Sequence, residues 1–118
     1  MRMVCRGAIA SLFLSVPAFA ADASHGKELF TACLACHTER PDALGPSLKG
    51  VVGRRAGSLE DFRYSNAMMR SGIVWDESNL RDYLRDPQAK VKGNHMPFSG
   101  FATASDADDV IAYLNTYK

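Results

Sequence analysis

The chain has 118 residues, with 14 Lys and Arg against 13 Asp and Glu, a formal net charge of +1. That length allows one small domain, and so even a balance excludes the dense basic patch that nucleic acid requires. There is no internal repeat, low-complexity tract or linker.

The first twenty residues read as a segment apart. Arg2 and Arg6 give a positive start, Gly7 to Val16 is largely apolar, and Pro17-Ala18-Phe19-Ala20 places small residues where a signal peptidase reads them. The expectation is a secretory signal peptide over 1–20, cut after Ala20, with Cys5 discarded. The apolar run is short of the roughly 20 residues that a membrane span needs. Removal of Arg2 and Arg6 leaves twelve basic residues against thirteen acidic, a formal charge of −1, and two cysteines. Export implies an oxidising compartment, and the simple leader suggests a bacterial periplasm. The remaining domain, 21–118, is small enough to be marginal on its own core, and a large apolar cofactor would ease that.

Asp22 to Ala35 is predicted helical, capped by Asp22 or Ser24, with Leu29, Phe30, Cys33 and Leu34 on one face. Pro41 to Gly57 reads as loop with tight turns at Gly45, Pro46, Gly50, Gly53 and Gly57. A short helix is expected near Ser65 to Arg70, and a longer one over Asp76 to Arg85 that Pro87 stops. Lys90 to Phe101 reads as extended or looped. Ser105 to Tyr117 is the clearest helix, with a capping-box-like Ser105/Asp108 and an apolar stripe of Ala107, Val110, Ile111, Leu114 and Tyr117. Strand signals are nearly absent. The fold class is all-α, short helices joined by loops long enough to wrap around something.

The chemistry concentrates in "TACLACHTER", residues 31–40, where Cys33, Cys36 and His37 form C-x-x-C-H. A redox dithiol would want strand–helix alternation, which is missing. Structural zinc needs four ligands, and only His25 or His95 could add a fourth. Covalent haem accounts for every element: two thiols for two vinyl groups and an imidazole for the iron.

The stretches "GKELFTACLACHTE", "LGPSLKGVVGRRAGS", "FRYSNAMMRSGIVWDESNLRDYLRDP", "VKGNHMPFSGF" and "ADDVIAYL" follow one another in an order that resembles class I cytochrome c, of the small soluble bacterial, c2-like kind. The resemblance covers Ser24 to Lys118. It implies the cytochrome c fold around one haem c attached through Cys33 and Cys36, with His37 and Met96 as axial ligands. A thioether ligand raises the potential relative to a second imidazole. Met68 and Met69 are read as core filler. The resemblance further implies that the Pro46 carbonyl receives the His37 ring proton and that Tyr83 approaches the Met96 sulfur. Arg54, Tyr64 and Trp75 would hold the haem propionates, whose charge needs donors away from water. Gly26, Phe30, Leu114 and Tyr117 match the crossing of the first and last helices.

Three departures accompany it. The segment from His37 to Pro46 is short, Lys92 stands where proline often precedes the methionine turn, and His95 stands where many relatives carry lysine. Lys92 should loosen the methionine loop, and His95 is a candidate to replace Met96 at high pH. With both axial positions filled, the implied function is a monomeric one-electron carrier, not an enzyme. Its partners would be a quinol–cytochrome c reductase upstream and a terminal oxidase, photosynthetic reaction centre or nitrogen-oxide reductase downstream, met by transient contact with membrane-bound complexes. Docking would use Lys27, Lys49, Lys90 and Lys92, with a contribution from Arg40. Rival readings are a dedicated redox subunit of a periplasmic dehydrogenase and a ligand-binding sensor or peroxidase-like cytochrome.

Overall fold

The computed structural model describes residues 3–5, 7–15 and 20–118. Arg2, Arg6 and the Val16 to Phe19 part of the expected cleavage region lie outside the described residues. Residues 3–5 and 7–15 carry no regular structure and are exposed, with Leu12, Phe13 and Leu14 open to solvent. Among the described residues no helix is long and apolar enough to cross a membrane.

The first helix, α1, spans Ala23–Phe30 and is shorter than the sequence predicts. Asp22 caps it, its carboxylate accepting from the Ser24 and His25 N–H groups. After Phe30 the bonds tighten to an i→i−3 pattern at Thr31 and Ala32, and the chain passes into a 3-10 helix over Cys33–Ala35. The Cys33 carbonyl then accepts from both Cys36 and His37. The tightened turn thus sets the two thiols and the imidazole on a compact bend, where a continued α-helix would space them along one axis.

Residues 41–57 form a loop, as expected. An isolated antiparallel bridge, Arg55 with Val74, ties its end to a later segment. Ser65 caps α2, Asn66–Arg70, and Asp76 caps α3, Glu77–Arg85. Pro87 does more than stop α3. It is the first residue of a one-turn helix α4, Pro87–Lys90, capped by Asp86. Proline suits that position because its missing N–H would have no helical partner there.

The last helix, α5, spans Ala104–Leu114. Its cap is Thr103, whose hydroxyl accepts from the Asp106 N–H at 3.2 Å, in place of the expected Ser105/Asp108. The same hydroxyl-x-x-acid pattern occurs two residues earlier, and Asp108 is engaged instead by Arg81 of α3. The end is also earlier than expected, because Thr116 and Tyr117 make i→i−3 turn bonds.

α1 crosses α5 at close range. A Cβ on Gly26 would overlap the Asp109 carbonyl, so only glycine permits the approach. Phe30 sits between Tyr113 and Tyr117, with ring centroids 5.1 and 5.2 Å away. Phe30, Val110, Ile111 and Leu114 are buried there and continue into a core of Val51, Ala56, Trp75, Leu80, Tyr83 and Val91. Tyr113, absent from the predicted crossing set, completes it.

A candidate haem site between a rigid bend and a braced loop

Cys33 and Cys36 are free thiols, both partly buried. Burial pushes the Cys33 thiol up, and Cys36 adds to that. His37 Nδ1 lies 2.8 Å from the Pro46 carbonyl oxygen. A carbonyl only accepts, so Nδ1 carries the proton and the lone pair of Nε2 is left for a ligand bond. Burial lowers the His37 pKa, the Pro46 bond opposes that, and Arg54 lowers it further, which favours the neutral ring that a metal needs. Gly45 is a contact residue, where the sequence suggests a turn. An ideal Cβ there would lie 2.6 Å from the imidazole ring.

Arg54 reaches back to the same loop. Its guanidinium donates to the Ser47 carbonyl at 2.7 Å and to the Lys49 carbonyl at 3.3 Å, which braces the segment that presents Pro46. Tyr64 accepts from the Leu59 N–H at 3.3 Å and lines a cleft of about 500 Å³ with Arg63, Arg70 and His95. That cleft does not include Arg54 or Trp75, so the three predicted propionate partners are not gathered around it.

Met96 lies near His37. The Tyr83 hydroxyl donates toward its sulfur at 3.9 Å. Burial raises the Tyr83 pKa to about 12, so the phenol keeps that proton at neutral pH. Tyr83 in turn packs on Trp75, centroids 4.9 Å apart. The methionine loop owes its shape to a residue that the sequence reading passed over. Asn94 is buried; its amide donates to the Pro87 and Val91 carbonyls, both at 2.9 Å, and its side-chain oxygen accepts from the Met96 N–H at 2.8 Å. Gln88 spans the outside, donating to the Asn94 carbonyl and accepting from the Gly93 N–H. Lys92 itself is exposed, and the looseness expected of it is countered by this bracing. An asparagine two residues before a methionine, ahead of a loop with no regular bonds, was the available signal.

The surface cations are less uniform than the sequence suggests. Lys27, Lys49 and Lys92 are exposed, but Lys90 pairs with Asp82 at 3.1 Å and Arg40 with Asp42 at 3.2 Å. His95 is exposed on the cleft rim.

These residues suit a large flat apolar group better than one ion. Among the described residues, Cys33, Cys36 and His37 do not join a cluster of converging metal donors, as structural zinc would require. Cys33, Leu48, Val52, Met68, Leu84 and Met96 are only partly buried against the core, as the wall of a cavity would be. Trp75, 7% exposed, belongs to the core that those residues pack against.

Comparison with known proteins decides the family. The family model for cytochrome c matches residues 23–118. The chain belongs to the cytochrome c family. It is 43% identical over 105 residues to cytochrome c2 of Blastochloris viridis, covering 86% of this chain and 83% of that one. It is 43% identical over 102 residues to cytochrome c2 of Rhodoblastus acidophilus, covering 84% and 95%. Cytochrome cH from Methylobacterium extorquens superposes with a TM-score of 0.77 at 42% identity, over 81% of this chain and 99% of that one. This cytochrome c is thus c2-like and all-α, and its cofactor is one haem c joined through Cys33 and Cys36. It is a small electron carrier, not an enzyme.

Proposed function

We propose that this cytochrome carries single electrons in the periplasm, its iron held by His37 and Met96. The carrying observation is the 2.8 Å bond from His37 Nδ1 to Pro46, which leaves Nε2 as the only free lone pair of the ring. Bound haem c supplies a one-electron iron couple. The chain's part is to hold both ligands still while charge comes and goes. Pro46, Gly45 and Arg54 fix the imidazole; Asn94, Gln88 and Tyr83 fix the thioether. Trp75 and Tyr64 offer donors for the propionates, and Arg54 supports that charge from the loop that it braces.

Residues 1–20 act as a leader removed after Ala20, consistent with a family match that begins at residue 23. The mature 21–118 chain meets a quinol–cytochrome c reductase as donor. A terminal oxidase, reaction centre or nitrogen-oxide reductase receives the electron. Docking is brief and small in area. Lys27, Lys49 and Lys92 supply the free positive charge, and exposed Leu44 and Leu34 supply apolar contact beside the cysteine bend. With so little net charge, steering is modest.

Optical spectra of the periplasmic protein test the ligand set. Wild type should be low-spin in both redox states and show the sulfur-to-iron band when oxidised. Met96→Ala should lose that band, and its potential should fall by roughly a few tenths of a volt within the ~0.8 V that axial ligands span. Retention of the band in Met96→Ala, or carbon monoxide binding by untreated ferrous wild type at neutral pH, would overturn the assignment.

A further inference from the structure

A second group of metal-ligating side chains lies outside the haem site, at the crossing of α1 and α5. Donor atoms of His25, Asp106 and Asp109 all fall within 4.8 Å of one another, and each side chain is only partly buried. Asp106 and Asp109 are three residues apart on α5 and so share a face. His25 reaches that face from α1, with Nδ1 at 2.8 Å from Asp109 Oδ2.

The ion pair of His25 with Asp109 accounts for two of the three. It leaves Asp106, whose carboxylate makes no hydrogen bond among the described residues and which stands beside a second carboxylate. An acid in the first turn of α5 suits the helix dipole. The dipole does not require an imidazole to face that acid.

We propose that His25, Asp106 and Asp109 form a surface site for a divalent transition ion of the zinc type, clamping the first helix to the last. Imidazole with two carboxylates is a donor set for such ions, and the two negative charges neutralise a dication. Bonds of about 2.1 Å place neighbouring donors roughly 3.0–3.4 Å apart. The His25–Asp109 pair is already near that separation, and rotation of the Asp106 side chain closes the third side. The Asp109 Oδ1 atom accepts from the Asp22 N–H at 2.7 Å, which orients Oδ2 toward His25. The site is pre-set by the backbone, because Gly26 fixes how closely the two helices approach. Water would complete the coordination.

The test uses untagged, haem-loaded protein stripped with a chelator and titrated with Zn²⁺ by calorimetry, alongside thermal melts. One ion should bind per chain and raise the melting midpoint. Asp106→Asn and His25→Gln should each weaken binding by about tenfold or more, as loss of a ligand costs at least as much as loss of its outer-shell support. Asp108→Asn, on the same helix but outside the cluster, should bind like wild type. Unchanged haem spectra show that each variant is folded; should His25→Gln fail to fold, Asp106→Asn decides alone. Absence of saturable one-to-one binding, or an affinity that Asp106→Asn leaves unaltered, overturns the proposal.

Discussion

The helix crossing and the methionine loop hold the two ends of this molecule's structure by opposite means. At the crossing, two regular helices meet through bare backbone at Gly26 and a cluster of three aromatic rings. In the loop there is little regular structure to lean on, and one buried amide, Asn94, joins three backbone groups. Apolar contact spreads its stabilisation over many atoms and tolerates small changes. A buried polar junction concentrates it in a few bonds, and each lost bond leaves an unpaired group.

Substitutions should separate the two. Gly26→Leu should have the largest effect on stability. Its side chain meets the backbone of α5, which cannot swing aside, so the loss should reach about 3 kcal/mol or more, the upper part of the range for overpacking. Thermal or denaturant unfolding of the haem-loaded protein measures it, and an unchanged midpoint would mean that the helices do not cross here. Asn94→Ala should cost about 1–3 kcal/mol, and locally, since it strands the Met96 N–H and takes one of two donors from each of the Pro87 and Val91 carbonyls. The sharper readout is the rate at which added imidazole displaces Met96, which should rise by tenfold or more because about 1.4 kcal/mol is a factor of ten. If only global stability changed, the loop would not be the unit that Asn94 holds.

Tyr83→Phe should act more weakly. It removes one long hydroxyl–sulfur contact and no packing, so the methionine bond should persist and the potential should shift by roughly tens of millivolts, the scale of a neighbouring hydrogen bond and not of a lost ligand. Loss of the sulfur-to-iron band in this variant would show that the phenol, and not the loop, secures Met96.

The smallest effect is set by pH at the crossing. The hydrogen bond to Asp109 raises His25 above 6.5, and the same bond, with the Asp22 N–H, lowers Asp109 below 3.8. The pair's contribution is therefore complete between about 3.8 and 6.5. It declines as pH rises through the raised His25 value, and as pH falls through the lowered Asp109 value. Melting midpoints of wild type and His25→Gln, compared in chelator, should differ within that window and converge above it. A constant difference across pH would assign the effect to packing.

The same contrast governs what the residues disclosed. The apolar stripe of α5 and the C-x-x-C-H motif were legible, because helical periodicity and thiol spacing are local patterns; the bend that carries the motif was not, since helix was expected as far as Ala35. Boundaries were less so. Thr103 and Ser105 are both competent caps; the bond from the Asp106 N–H to the Thr103 hydroxyl shows which one begins the helix, and Asp108 is taken up by Arg81. Pro87 looked like a stop and proved also to be a start, since one residue satisfies both requirements. Arg54 was read as a propionate partner and Gly45 as a turn; the contacts they make are with the loop carbonyls and the His37 ring, near in sequence but set by a loop conformation that no periodic pattern specifies. Asn94 was missed because an isolated amide has no periodicity to announce it.

The amide that shapes the methionine loop also gives this side of the molecule a chemical lifetime. Hydrolysis of Asn94 to a carboxylate exchanges one nitrogen for oxygen and alters shape hardly at all, yet it would turn the donor shared by the Pro87 and Val91 carbonyls into a third acceptor facing them. The histidine side rests on a main-chain carbonyl, which has no such route of decay. Slow deamidation in storage or in an ageing cell would accordingly loosen the hold on Met96 and spare the hold on His37.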